Sequence, residues 1–170
     1  MGKVFLIADT HFGGESIIRY ENRPFKTVEE MEKSLIERWN RVVAEEDTVF
    51  VLGDFSTNQD AEADRRVLGK LNGEKILIMG NHDTHRTPQE WRDLGFAEVS
   101  TWPIVYKEFF LFSHEPMYIN TNMPYANFYG HVHGNVTYQS LTKQSACVSV
   151  ERIDYTPIDF EELVKRVKEI

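Results

Sequence analysis

The sequence contains one cysteine, Cys147, among 170 residues, so no intrachain disulfide can form and a reducing compartment suits the chain. It has no apolar run approaching membrane-spanning length. The amino-terminal stretch carries a single Lys3 and then a short apolar run broken by Asp9. That is too short for the apolar region and cleavage site of a secretory signal. No internal repeat, low-complexity tract or linker interrupts the chain. Basic residues are in deficit: 19 Lys and Arg stand against 27 Asp and Glu, a formal charge of −8. This balance disfavours an extended sheath of phosphate contacts to long nucleic acid. It leaves room for cleavage of a small phosphate ester if divalent cations offset the local charge. With 41% hydrophobic and 27% charged residues, the expectation is one globular domain over residues 1–170, cytoplasmic and away from membranes.

What is present is chemistry gathered where apolar runs stop. Ile76-Leu77-Ile78-Met79 has no helical periodicity and reads as a buried strand, and it ends in Gly80-Asn81-His82-Asp83. In open α/β sheets ligands collect beyond the carboxyl ends of the strands. The pattern recurs four times. Lys3 to Ala8 delivers Asp9-Thr10-His11, and Thr48 to Leu52 delivers Gly53-Asp54. Phe109 to Phe112 delivers Ser113-His114, and Phe128-Tyr129 delivers Gly130-His131-Val132-His133. Of the six histidines only His85 falls outside these blocks, in what reads as an exposed turn.

Between the runs the periodicity predicts helices. Thr27 and Glu30 form a capping box that opens a helix to about Ala44, with Val28, Met31, Leu35, Trp39 and Val42 as its apolar stripe. A second helix is expected from Asp60 to Leu71, and Thr87 with Glu90 opens a short third one to about Leu94. Strands are expected over Val99–Lys107 and Ala146–Ile153, loops over Phe12–Ser16, where Gly13 and Gly14 break regular structure, and over Met117–Ala126, and a terminal helix over Ile158–Lys168. Strands alternating with helices, then mainly strands, predict an α/β fold of two stacked sheets with helices outside them.

Imidazoles, carboxylates and one amide, without a thiolate, suit divalent Mn, Fe, Zn or Ni. Seven candidates, Asp9, His11, Asp54, Asn81, His114, His131 and His133, exceed what one tetrahedral zinc takes. They match two ions sharing a bridging carboxylate, and Asp54, alone in its block, is the natural bridge. Burying so many ionisable groups without a cation would be costly.

In this order, from Asp9 to His133, the five blocks resemble those of the calcineurin-like metallophosphoesterase family. The resemblance implies a four-layer αββα sandwich of two mixed sheets flanked by helices. It implies Asp9, His11, Asp54 and His133 on one ion, and Asp54, Asn81, His114 and His131 on the other, with manganese favoured. His82 would be the proton donor or phosphate contact and Asp83 would orient it, although Asp83 could instead cap the following turn. The implied reaction is in-line attack of water, activated between the ions, on a small or nucleotide-like phosphodiester. Two departures bear on the substrate. Gly53-Asp54 continues Phe55-Ser56-Thr57, without the Asp-Arg pair of protein phosphatases, which points to a small bacterial phosphodiesterase-type member. Gly14 stands where relatives with a similar opening place a histidine.

The alternatives are a phosphomonoesterase or nucleotide pyrophosphatase on the same metals, or a non-catalytic module that retains the fold. Retention of His82 and of every donor ranks the module last. The oligomeric state is not legible from the sequence. Arg19 and Arg23 are candidates to grip a non-reacting phosphate or sugar, with surface arginines as the competing reading. Tyr20, Tyr118 and Tyr125 are expected at the rim of a core rather than against a base. Cys147 is expected as a buried small hydrophobe.

Overall fold

The computed structural model describes residues 2–120, 124–135 and 144–168. The first strands, β1 (Val4–Ile7), β2 (Thr48–Val51), β3 (Glu74–Ile78) and β4 (Glu98–Ser100), run parallel in one sheet. A short β9 (Ile158–Asp159) adds to it antiparallel beside β1, giving the order β4-β3-β2-β1-β9. The second sheet has the order β5-β6-β7-β8. Its strands are β5 (Ile104–Tyr106), β6 (Phe110–Ser113), β7 (Ala126–Tyr129) and β8 (Ser145–Cys147). β5 is antiparallel to β6, and β6, β7 and β8 run parallel. Two mixed sheets flanked by helices form an α/β sandwich, as the sequence predicts.

The apolar runs are continuous because the strands they form are covered on both faces. Side chains alternate across a strand. Phe5 and Ile7 of β1, with Val49 and Val51 of β2, face one core. Leu6 and Ala8, with Phe50 and Leu52, face the other. Helix α2 (Val28–Val42) closes the first core with Met31, Leu35 and Trp39. Burial of one such aliphatic side chain stabilises by about 1.5–3 kcal/mol. The second core lies between the sheets, where Phe110, Phe112 and Phe128 pack, and α5 (Phe160–Lys168) enters it with Phe160, Leu163, Val164 and Val167.

Capping follows the sequence with one change. At α4 (Pro88–Leu94) the box is complete, with the Thr87 hydroxyl accepting from Glu90 N and the Glu90 carboxylate accepting from Thr87 N. At α2 the Thr27 hydroxyl accepts from Glu30 N, but the Glu30 carboxylate reaches one residue further back, to Lys26 N. Helix α3 spans Ala61–Leu68 and takes its cap from Asp60.

Four expectations are corrected. The segment predicted as a single strand over Val99–Lys107 is two strands in two sheets, because it crosses from one sheet to the other. Pro103 supplies no amide there, and the Ser100 hydroxyl accepts from Trp102 N to turn the chain. The strand predicted over Ala146–Ile153 ends at Cys147 and gives way to a helical turn over Val150–Arg152. At Ser149 the chain bridges instead to Ala8 of the first sheet. The terminal helix starts at Phe160, since Ile158 and Asp159 pair with β1. A short helix, α1 (Glu15–Tyr20), forms directly after the paired glycines, where a loop and then an unassigned stretch were expected. Part of the loop predicted over Met117–Ala126, residues 121–123, lies outside the described residues. Among the described residues no helix is long and apolar enough to cross a membrane.

Candidate metal centre

The ends of β1, β2, β3, β6 and β7 bring the seven candidate donors to one end of the sandwich. The backbone there is forced. Asp9, His11, Asp54, His131 and His133 all adopt positive φ, between 49° and 69°. Left-handed backbone at non-glycine residues costs of order 1 kcal/mol or more each and collects at functional sites. The flanking glycines admit the crowding: a Cβ at Gly80 would collide with the Asp54 carboxylate and the His114 ring.

The donors fall into two groups that share Asp54. One atom each from Asp9, His11, Asp54 and His133 lie within 4.8 Å of one another, and the same holds for Asp54, His114 and His131. Asp54 Oδ2 stands 3.5 Å from His11 Nε2 on one side and 3.5 Å from His114 Nε2 on the other. Asn81 completes the second group through Oδ1, 3.0 Å from His114 Nε2 and 3.1 Å from His131 Nδ1. In the first group His133 Nε2 lies 3.8 Å from Asp9 Oδ1, and the His11 and His133 rings stack with centroids 5.2 Å apart.

This donor set fits divalent cations. His11 Nε2 is buried and has no hydrogen-bond partner, so as a lone pair it has no donor to it among the described residues. Burial pushes the His11 imidazole down to about 2, so it is neutral at pH 7, and burial lowers His131 too. Burial raises the Asp9 carboxyl to about 6, in spite of His133 and His114 nearby. Convergent buried carboxylates and neutral imidazoles are the ligand types that Mn, Fe, Zn and Ni accept.

Three residues that the sequence did not single out for this purpose brace the donors. The Ser149 hydroxyl donates to Asp9 Oδ2 at 2.6 Å, beside the amide of His131 at 2.9 Å. Glu151 accepts from His133 Nδ1 at 3.1 Å, leaving Nε2 for a cation. Burial lowers the basicity of the His133 ring, but the Glu151 and Asp9 carboxylates together outweigh it and raise its pKa. Arg23 in turn holds Glu151 through Nη2 at 2.7 Å and Nε at 2.9 Å, and donates to the carbonyls of Asp9 and Thr10.

That placement corrects the substrate-binding expectation for Arg23. Its side chain is 0% exposed and every end of its fork has a partner, so it cannot reach a substrate. Arg19 is exposed and pairs with Glu15 on the face of α1 turned away from the donors, facing Lys26. The orienting role expected of Asp83 is corrected as well. Its carboxylate is fully buried and accepts from the amides of Asp54, Phe55 and Gly80 at 2.7–2.9 Å. It therefore pins the loop after β2 to the loop after β3, and burial raises its pKa to about 7. His82 is exposed, with its ring edge-on to His11 at 5.1 Å. His85 is exposed in a helical turn, as expected. Cys147 is only partly buried and lies 3.1 Å from the Ser149 hydroxyl.

Two pockets flank the donors. One, of about 370 Å³, is lined by His11, Ile17, Tyr20, Glu21, Thr57 and His82. The other, of about 470 Å³, is lined by Glu21, Glu115, Pro116, His131, His133 and Asn135. A larger cavity of about 680 Å³ lies at the opposite end of β1, around Lys3, Phe5 and Ile158, and among the described residues it holds no donor cluster. Tyr20 and Tyr118 are each 83% exposed and do not pack the rim of the core as expected, whereas Tyr125 does, donating its hydroxyl to Val167 O.

A sandwich with metal-fitting donors at the ends of its parallel strands defines a metal-dependent hydrolase. The chain belongs to the calcineurin-like phosphoesterase family, whose model matches residues 2–166, and it is a metal-dependent phosphoesterase. It is similar to an uncharacterised protein of Methanocaldococcus jannaschii, 37% identical over 174 residues, covering 99% of this chain and 93% of that protein. A crystal structure of a protein of unknown function from Aquifex aeolicus has the same fold. Its TM-score is 0.75 at 27% identity, over 97% of this chain and 99% of that one.

Proposed function

We propose that the protein is a phosphodiesterase that uses two divalent ions, manganese favoured, on a small or nucleotide-like diester in the cytoplasm. The single observation that carries this reading is the pair of pockets flanking the donors. A diester brings two organic substituents to one phosphorus, and each pocket takes one; a monoester would fill only one. Among the described lining residues neither pocket presents Lys or Arg, and Arg23 is committed behind the donors, so a dianionic terminal phosphate finds no guanidinium fork.

Two divalent ions at Asp9, His11, Asp54 and His133 and at Asp54, Asn81, His114 and His131 would supply phosphate polarisation and a water of lowered pKa. The chain does the rest. Asp83 and Gly80 hold the Asp54 and Asn81 loops in register, and Arg23 with Glu151 fixes the His133 ring. As water attacks phosphorus, a P–O bond forms and the opposite P–O bond breaks. His82, exposed beside His11, would donate its proton to the leaving oxygen, and the proton released by water goes to solvent. A positioned acid of this kind contributes roughly 10²–10⁴-fold.

The test is hydrolysis of bis-p-nitrophenyl phosphate against p-nitrophenyl phosphate by metal-stripped protein with Mn²⁺, Ni²⁺, Zn²⁺ or Mg²⁺ restored singly. Metal-dependent cleavage favouring the diester supports the proposal. Preference for the monoester overturns it in favour of a phosphomonoesterase, and inactivity with ions bound would point to a binding module.

A further inference from the structure

The two flanking pockets are not equivalent, and their difference bears on the substrate. The pocket on the His82 side is the one in which the departing oxygen would be protonated, so it receives the leaving group. Its wall is α1. Tyr20 stands 83% exposed with its ring free to be covered, Ile17 lies one turn earlier, and Thr57 forms the far lip. Glu21, the residue that closes α1, lines this pocket and also the one beside His131 and His133. Among the described lining residues this pocket presents no Lys or Arg. Resting on the phosphodiesterase reading, we propose that it selects an uncharged, ring-bearing leaving group of the nucleoside type.

Three features argue for that class. A large exposed aromatic beside a catalytic group is a stacking platform, and every base has a π-face to offer it. Carboxylates accept from sugar hydroxyls, and Glu21, which both pockets share, holds its carboxylate within 4.8 Å of His133 and Glu151. The same carboxylate repels an additional phosphate on the leaving group, since no described lysine or arginine offsets it there. Tyr20 and Glu21 are thus specificity-determining residues: the ring attracts the leaving group and the carboxylate excludes its phosphorylated form.

The experiment compares three diesters on the Mn²⁺-loaded enzyme, with bis-p-nitrophenyl phosphate alongside. The first is a dinucleoside monophosphate, the second the methyl ester of the same nucleoside monophosphate, and the third the dinucleotide with a terminal phosphate on the leaving nucleoside. The wild type should prefer the first over both others. Tyr20→Ala should lower the preference for the first over the second by roughly ten-fold, chiefly through KM, within the range one base–aromatic stack supplies. Tyr20→Trp, which keeps a ring, should retain the preference. Glu21→Gln should raise use of the phosphorylated dinucleotide relative to the first substrate several-fold. Cleavage of bis-p-nitrophenyl phosphate together with unchanged ratios in both variants would overturn this inference and leave the phosphodiesterase reading standing. No diester cleavage with any metal would overturn both. Because Tyr20 is almost wholly exposed, its replacement does not threaten the fold.

Discussion

Glu151 accepts the Nδ1 proton of His133 at 3.1 Å and is itself gripped by the buried guanidinium of Arg23. The pair fixes both the tautomer and the direction of the imidazole whose other nitrogen faces Asp9. Carboxylates in this position usually govern metal affinity about as strongly as weak ligands do.

Glu151→Ala should therefore weaken Mn²⁺ binding by roughly 10–100-fold, the range for outer partners of ligating histidines. Calorimetric titration measures it, with circular dichroism confirming the fold. An unchanged dissociation constant would mean that His133 is oriented by its stacking on His11 alone.

Asp54→Ala should remove the carboxylate shared by both donor groups. Metal content, measured by mass spectrometry after dialysis, should fall from two ions per chain to one or none, and turnover should be lost. Retention of two ions with normal affinity would show that Asp54 bridges nothing.

His82→Ala should depress turnover of unactivated diesters by roughly 10²–10⁴-fold while sparing nitrophenyl esters, whose leaving group needs no proton. Steady-state rates on the two substrate types decide it, and equal losses on both would falsify the acid role.

Asp83→Asn should destabilise the protein by about 1–3 kcal/mol, because the amide turns a donor toward backbone N–H groups that now have an acceptor each. A urea midpoint in the presence of chelator reads this apart from metal binding. A shift near zero would mean that the loops after β2 and β3 are held in place by other contacts.

Removal of metal should lower the melting temperature. At a hundred-fold excess over its dissociation constant a ligand stabilises by about 2.7 kcal/mol. That is roughly 5–10 °C per site for a chain of this size. Calorimetry with chelator and with Mn²⁺ restored makes the comparison, and identical melting curves would argue that no ion binds the folded state.

The donors were legible in the sequence because parallel strands covered on both faces leave apolar runs, and each run ends abruptly on Gly or a polar residue. Asp9, Asp54, Asn81, His114 and His131 all announce themselves this way. The braces were not legible, since nothing local marks them. Ser149 lies 140 residues from Asp9, and Glu151 lies 128 residues from Arg23. Arg23 read as a candidate grip for a phosphate or sugar, with a solvated surface group as the competing reading, and only the fold reveals that it is enclosed between the end of β1 and the segment after β8. Asp83 read as a partner of its neighbour His82, but its three acceptor bonds go to Asp54 and Phe55 in the loop after β2 and to Gly80 in its own loop. Helix α1 was hidden by Gly13 and Gly14, which break structure before it and not within it. The split at Pro103 did have a signal, the proline itself, which the apolar texture on either side outweighed.

The bridge from Ser149 to Ala8 also sets a timetable. The seven donors have all been synthesised once the chain reaches His133, yet the hydroxyl that steadies Asp9 and the carboxylate that steers His133 arrive later. A nascent chain stalled between these points would hold every candidate donor and neither brace.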